Sequence, residues 1–530
     1  MPTLQFKGKN IIWNHHLSVP YHTLEEDPKL GFQSKKGEGN LIIEGDNLLA
    51  LKALLPQYAG KVKCIYIDPP YNTGNEGWVY NDKVNSPLVR EWLGKEVGKD
   101  DLTRHDKWLC MMVPRLKILR DVLSDDGVIC ISIDDIELGC LLRIMDEIFG
   151  EQNKEEIICW RRRHNQPNDK SKAISKVAEF IVIYAKDLEL LKDKGTFNGL
   201  PLTGDFSNPD NDPKGEWASK PWKSGSGQTG TKYSIKTPSG KILDEEWLGT
   251  ENTYKQYLKE GRIYWPRKGD GYPRKKYYKF ERELEGQCAH NFWNHEDFGS
   301  NQEASEEIKS INIIFDNPKP VRLINSLIQI FTIKNSLILD SFAGSGTTMH
   351  AVMDLNKEDG GNRKCILVQM TEATEKEPKK NICRDITRER VKRAIEKYGY
   401  DSGFKYLRVG DPIDPESMLS GVLPTYKQFA KYIYYLCTGE YLPDEKGINE
   451  KTYFVGAHKK SAIYLVYRQD YETLTRLALN LPLAEAVIKA HPKHKLIIYA
   501  PACFLDEEYL ESNNIEFVGI PYSLFRRNPA

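Results

Sequence analysis

Between residues 41 and 67 the chain spells one strand–helix–strand unit. The apolar run Leu41-Ile42-Ile43 ends in Glu44-Gly45-Asp46-Asn47. Leucines at 48, 49, 51, 54 and 55 then follow at helical spacing, and Val62–Ile67 is a second apolar run closed by Asp68. A helical crossover between two short strands forces them parallel, and strands this apolar are covered on both faces. The same pattern recurs far down the chain, as Leu337-Ile338-Leu339-Asp340, a helix from Thr347 to about Lys357, and the strand Cys365–Gln369. Two such units predict an α/β fold built on a largely parallel sheet.

The intervening text extends the first unit. Apolar residues recur at helical intervals over 106–123, with Pro114 expected to kink or divide that helix. Val128–Ile133, Ile157–Trp160 and Phe180–Tyr184 read as further strands. From about 186 to 300 neither period persists. A charged helix over Ile382–Tyr398 leads to Gly410-Asp411-Pro412-Ile413-Asp414-Pro415, which reads as a domain boundary. Beyond it, strand-like Ala462–Tyr467, a helix near 469–490 and strands Leu496–Ala500 and Ile515–Val518 suggest a small α/β domain. The expected organisation is an N-terminal extension (1–39), a core in two halves (40–185 and 312–410), an insertion (186–311) and a C-terminal α/β domain (411–530).

Composition narrows the class. With 40% hydrophobic and 28% charged residues, the chain is neither disordered nor fibrous. Its apolar runs, such as Ile181–Ala185, fall far short of the ~20 residues a membrane span needs. Residues 1–30 contain no apolar signal segment, so a cytoplasmic location is expected. Ten cysteines include no C-x-x-C pair, so reduced core thiols are expected and no metal is. Net charge is zero, yet residues 161–280 hold 24 Lys and Arg against 15 Asp and Glu. That local excess of nine points to an anion-binding surface.

Two turns carry chemistry, and both follow strands, where open α/β sheets bind ligands. Asp68-Pro69-Pro70-Tyr71-Asn72-Thr73-Gly74 combines a carboxylate, rigid carbonyls and an aromatic ring on one stiff loop. That set fits a planar base bearing an amino group: Asp68 and the Pro69 carbonyl can accept its two hydrogens while Tyr71 stacks on the ring. A proline-rich turn with an incidental Tyr is the plainer alternative. Asp340-Ser341-Phe342-Ala343-Gly344-Ser345-Gly346-Thr347-Thr348 places glycines at a strand-to-helix turn, where a ligand can approach backbone and a carboxylate suits the helix N-terminus. The spacing is neither a dinucleotide fingerprint nor a phosphate-binding P-loop.

Together the two motifs resemble those of the amino-group (N6-adenine or N4-cytosine) DNA methyltransferases of the β class, which pair a D/S-P-P-Y loop with an F-x-G-x-G loop. The wider text from Glu44-Gly45-Asp46-Asn47-Leu48 through Gly74 is similar to the modification subunit of type III restriction–modification systems. So is Val113-Pro114-Arg115-Leu116 leading to Asp126-Gly127-Val128. The resemblance covers roughly 40–185 and 312–410. It implies an S-adenosylmethionine-dependent, Rossmann-like mixed sheet in permuted order, with the insertion as a target-recognition domain and the C-terminal domain serving assembly or partner docking.

Carried over position by position, Asp68, Pro69, Pro70 and Tyr71 would hold a flipped base. Asp340, Phe342, Ala343, Gly344, Ser345, Gly346 and Thr347 would surround the methionine part of S-adenosylmethionine, with Asp46 near its adenine. Asn317-Pro318-Lys319-Pro320 would close over the cofactor, which makes Lys319 a cofactor residue. One position departs: Gln369 stands where a ribose-binding carboxylate is usual, with Glu372 three residues on, and the choice between them stays open. Basic residues interleaved with aromatics before and within the insertion, namely Arg161, Arg162, Arg163, Arg267, Lys268, Arg274, Lys275 and Lys276, are candidates for DNA phosphate contacts, against the plainer reading of a solvated charged face.

The resemblance implies transfer of a methyl group to adenine N6 in double-stranded DNA, with Asp rather than Ser at position 68 favouring adenine over cytosine N4. It further implies a homodimer and a separate helicase–nuclease restriction subunit, since this chain carries no P-loop. A stand-alone methyltransferase, a specificity subunit of another defence complex, and methylation of RNA or of a protein glutamine remain as alternatives.

Overall fold

The computed structural model describes residues 3–73, 103–165, 173–195, 197–200, 205–373 and 377–520. They divide into two compact units, residues 1–197 with 290–530, and residues 198–289. In chain order the strands are β1 (Tyr21–Glu26), β2 (Leu41–Glu44), β3 (Val62–Ile67), β4 (Leu123–Ile133), β5 (Lys154–Arg161) and β6 (Ala178–Ala185). The second unit contributes β7 (Trp217–Pro221), β8 (Thr231–Lys236), β9 (Ile242–Trp247), β10 (Ile263–Tyr264) and β11 (Arg274–Tyr278). The first unit resumes with β12 (Phe292–Trp293), β13 (Leu337–Asp340), β14 (Lys364–Gln369) and β15 (Lys405–Ile413), then β16 (Phe454–His458), β17 (Ser461–Leu465), β18 (Lys495–Ala500) and β19 (Ile515–Gly519).

Among the described residues, ten strands form one mixed sheet in the order β1-β15-β2-β14-β13-β3-β4-β6-β5-β12. The six from β15 to β4 run parallel, whereas β1 and β6 are antiparallel to their neighbours. Every residue of β3 is buried, as expected of a strand covered on both faces. Even its Lys63 lies inside, the Nζ 3.0 Å from Asp126 Oδ2 and 2.6 Å from the Asp126 carbonyl.

The strand order explains where a site can form. From β13 the chain passes through the helix Thr347–Asp359 to β14 on one side, and from β3 it runs to β4 on the other. β13 and β3 are hydrogen-bonded neighbours, with Leu339 opposite Ile65. Their connections leave in opposite directions, so a crevice opens beyond their carboxyl ends. The Asp68 loop and the Asp340 loop both start there.

Several local expectations are revised. Pro114 neither divides nor ends its helix, which runs unbroken over Arg104–Val122. The expected helix near 469–490 is two, Tyr471–Leu474 and Leu481–Ala490, because Asn480 caps the second and Pro482 occupies its first turn. Gly410–Ile413 is not a linker: it lies within β15, paired with β1. The C-terminal segment shares the first unit's core, with Phe429, Tyr432 and Ile433 in the same buried cluster as Ile43 and Ile65.

The second unit is smaller than the 186–311 insertion read from the sequence. It holds a three-stranded sheet, β10-β11-β7, and the β8–β9 hairpin. Its core includes Trp222, Ile235, Leu243, Trp247, Tyr254 and Ile263. Strands of two to six residues explain why no period was visible there.

Candidate active site

The chain leaves β3 at Asp68, whose side chain is 27% exposed. Trp108, fully buried on the Arg104–Val122 helix, donates its indole N–H to the Pro70 carbonyl at 2.7 Å. Lys319 occupies the centre of the loop. Its Nζ donates to Asp68 Oδ2 at 2.7 Å and to the Tyr71 hydroxyl at 2.9 Å, and lies 3.5 Å from Glu179 Oε2. The Tyr71 hydroxyl donates to Glu179 Oε2 at 3.2 Å, and Arg162 Nη1 stands 3.0 Å from Glu179 Oε1. Two carboxylates and two cations therefore balance in a mostly buried cluster. Burial works to lower the Lys319 ammonium, but Asp68 and Glu179 outweigh it and hold it above the ordinary lysine value. Burial, with Asp68 and Glu179 beside it, pushes the Tyr71 phenol well up.

Lys319, read from its Asn-Pro-Lys-Pro setting as a cofactor residue, is thus placed against the Asp68 loop. Arg162 is likewise turned inward to Glu179 instead of outward to a phosphate. Gly74, the last residue of the loop motif, lies outside the described residues.

The second loop is held from several sides. Asp340, buried, accepts from the Phe342 N–H at 3.0 Å and from the Thr348 hydroxyl at 2.5 Å, and burial pushes its carboxyl up to about 7. Gly344 has φ +50 and Gly346 φ +86, left-handed conformations that favour glycine. The Gly344 N–H donates to Gln369 Oε1 at 2.8 Å, and Gln369 Nε2 donates to Glu372 Oε1 at 3.0 Å. Gln369 is therefore engaged as a bridge, with its amide oxygen on the loop backbone. Of the two residues left open for the ribose, Gln369 is buried and Glu372 is the exposed one; its side chain is 45% exposed and its Oε2 lies 3.7 Å from Lys380. Ala343 is buried and donates its N–H to the Val368 carbonyl at 3.2 Å. Asp46 caps the helix Asn47–Tyr58, accepting from Leu48 and Leu49 N–H at 2.9 and 3.2 Å, with Oδ2 3.4 Å from Arg115.

Beneath this loop lies a residue that the motif reading missed. Arg390, with no solvent exposure, donates from Nη1 to the Ser345 and Thr347 hydroxyls, both at 2.6 Å, and faces Glu307 at 3.5 Å. Thr387, closing the π-helical turn Cys383–Thr387, donates its hydroxyl to the Gly344 carbonyl at 2.6 Å. Such turns are frequent at functional sites. A buried arginine in Arg388-Glu389-Arg390 is not distinguishable by spacing from its exposed neighbours. Glu179, Trp108 and Arg390 join the loops only through the fold.

The basic candidates divide. Arg163 and Arg267 are exposed, and Arg161 donates to the His164 carbonyl at 3.2 Å. Arg274 donates to Ser219 Oγ and O at 2.8 and 2.9 Å, and Lys275 donates to the Tyr257 hydroxyl at 2.9 Å. Lys276 is buried, 4% exposed, and bridges Asp210 and Asp212, so it holds its own unit together and presents no charge to a phosphate. The Lys268 side chain lies outside the described residues.

A glycine turn at a helix start, tied to Glu372 through Gln369 and to Asn47, the neighbour of Asp46, through the Ser341 carbonyl at 3.0 Å, fits a zwitterionic ligand bearing hydroxyl and amino groups. Beside it is a proline-stiffened acceptor loop with an aromatic ring. This pairing on a permuted, mostly parallel sheet defines an amino-group methyltransferase fold. The N6/N4 DNA methylase family model matches residues 62–402, more than half of the chain, and the chain belongs to that family.

Within the family it is similar to the Mod subunits of type III restriction–modification enzymes. It is 34% identical to the StyLTI Mod subunit of Salmonella typhimurium strain LT2, over 74% of this chain and 62% of that protein. To the EcoPI Mod subunit of Escherichia phage P1 it is 32% identical, over 68% of this chain and 62% of that protein. The EcoP15I Mod subunit of Escherichia coli is 30% identical, over 73% of this chain and 68% of that protein. The match thus spans about 62% of the length of the first two relatives.

Proposed function

We propose that this chain transfers a methyl group from S-adenosylmethionine to N6 of adenine at specific sites in double-stranded DNA, in the cytoplasm, as the modification subunit of a type III-like restriction–modification system. The observation that carries this reading is the adjacency of β3 and β13, which sets the Asp68 loop and the Asp340 loop side by side at one crevice. The similarity to Mod subunits supports the assignment to a restriction–modification system. On the same ground we propose a homodimer that works with a separate helicase–nuclease subunit.

An exocyclic amine is a weak nucleophile because its lone pair is delocalised into the ring. A flipped base in the Asp68 loop would donate its amino hydrogens to Asp68 Oδ1 and the Pro69 carbonyl, favouring a tetrahedral nitrogen whose lone pair is free to attack. Lys319 already holds Asp68 Oδ2, so Oδ1 is the oxygen that would take up the amino hydrogen. The ring of Tyr71, anchored at its hydroxyl by Lys319 and Glu179, supplies the stacking face. The nitrogen's surplus proton would be held at Asp68 Oδ1. S-adenosylmethionine, when bound, supplies an electrophilic methyl group. Asp340, Phe342, Ala343, Gly344, Ser345, Gly346 and Thr347 would hold it, with Asp46 and Glu372.

Labelled-methyl transfer to DNA, followed by nucleoside analysis, tests the reading. N6-methyladenine in wild-type product and none with Asp68→Ala is the expected result. N4-methylcytosine would move the target to cytosine, and label on RNA or protein alone would overturn the DNA assignment.

A further inference from the structure

The base loop is anchored at its far end by groups that have no place in the chemistry above. Asn72, immediately after Tyr71, is fully buried and adopts φ +59, a left-handed conformation that an asparagine tolerates better than most residues. Its side-chain Nδ2 donates to Glu137 Oε1. Glu137 is itself fully buried, at the N-cap of the helix Leu138–Phe149, and its Oε1 also lies 2.6 Å from His105 Nδ1. His105 and Trp108 stand three residues apart on the Arg104–Val122 helix, so they project from one face. That face therefore reaches the loop twice, through Trp108 at Pro70 and through His105 and Glu137 at Asn72. His105, Glu137 and Cys140 offer ligand atoms within 4.8 Å of one another. Glu137 Oε1 already meets both the Asn72 amide and the His105 ring nitrogen, however, which makes the cluster a hydrogen-bonded clamp.

We propose that Glu137 is a positioning residue for base methylation: by holding the Asn72 amide, it fixes the four residues Asp68–Tyr71 between the end of β3 and a rigid anchor. The inference rests on the reading of this loop as the base site. Both ends of the loop are then fixed, and neither Asp68 nor Tyr71 can shift without breaking a buried hydrogen bond. Displacement of reacting groups by about 1 Å can lower turnover about 100-fold, which is the scale of effect at stake.

The test exchanges donor and acceptor. Asn72→Asp sets two buried carboxylates against each other, and turnover on cognate DNA should fall at least tenfold. Adding Glu137→Gln to Asn72→Asp restores the pair with reversed polarity, since the new amide nitrogen, in the place of the shared oxygen, can donate one hydrogen to the new carboxylate and the other to His105 Nδ1 in its Nε2-protonated form. Turnover should then recover most of the loss. Cofactor affinity and the thermal midpoint, measured on the same proteins, should stay near wild type in the double variant. Asn72→Gly, which keeps the backbone conformation and removes only the amide, should lose about tenfold in kcat with an unchanged cofactor Kd. The proposal is overturned if the double variant turns over no faster than Asn72→Asp alone, or if Asn72→Gly keeps full turnover. Wild type and Asp68→Ala run in the same assay keep the two readings apart. If wild type transfers no methyl to DNA, the base-site reading fails; if it does and the exchange gives no rescue, only the clamp fails.

Discussion

Lys319→Met removes an ammonium and leaves an unbranched side chain of similar length in the same slot. Three oxygens lose their cation: Asp68 Oδ2 at 2.7 Å, the Tyr71 hydroxyl at 2.9 Å and Glu179 Oε2 at 3.5 Å. Breaking a buried ionic group by deleting one member costs about 3–5 kcal/mol. Two features reduce that here. Asp68 is 27% exposed and partly screened, and Glu179 keeps Arg162 at 3.0 Å. The expected loss is therefore about 2–3 kcal/mol of unfolding free energy at pH 7. The folded ammonium titrates above its ordinary value, so its stabilisation is complete below the unfolded lysine pKa of about 10.4 and fades only as pH rises through the folded value. Denaturant melts of the two proteins should differ by a constant amount from pH 6 to 9. At saturating cofactor, turnover should fall about 100-fold because Asp68 and Tyr71 lose their common anchor, while cofactor Kd by calorimetry stays within about twofold. Cofactor affinity at least tenfold weaker, with normal turnover at saturation, would refute this reasoning and return Lys319 to the cofactor.

Four further variants have expected outcomes. Asp340 has its folded carboxyl raised to about 7 by burial, so folding loses stability as pH climbs from about 4 to 7, by about 4 kcal/mol at most. Asp340→Asn, which can still meet Phe342 and Thr348, should gain stability relative to wild type between pH 5 and 8; a pH-independent difference in urea melts would reject the assignment. Arg390→Met removes two hydroxyl bonds from beneath the cofactor loop and should weaken S-adenosylmethionine binding about tenfold in calorimetry. Lys276→Met should lower the thermal stability of the second unit by stranding Asp210 and Asp212, whereas Arg267→Ala, at an exposed position, should reduce the salt slope of DNA binding by about one.

What the sequence disclosed follows the physics of parallel sheets. β2, β3, β13 and β14 are continuous apolar runs because both of their faces are covered, and each functional loop begins where such a run stops. Gly410-Asp411-Pro412 misled for a related reason. β15 pairs with β2 only over Lys405–Arg408; beyond that it has β1 alone, whose register shifts between His22 and Leu24, so a proline and a glycine are tolerated in a strand and read as a linker. The supports of the site were hidden because each joins residues far apart in the chain: Lys319 meets Asp68 across 251 positions, Tyr71 meets Glu179 across 108, and Arg390 meets Ser345 across 45. Periodicity and motif spacing register only local order, and these contacts have none. Gln369 joins the two levels. As a motif position it is an anomaly, an amide where a carboxylate is usual. In the fold its oxygen is occupied by the Gly344 N–H and its nitrogen by Glu372, a pair of bonds that a carboxylate, having no donor, could not make. The Gln369 amide thereby ties the Glu372 carboxylate, three residues along the chain, to the backbone of the glycine turn, a link between a strand end and the Asp340 loop that no local pattern announces.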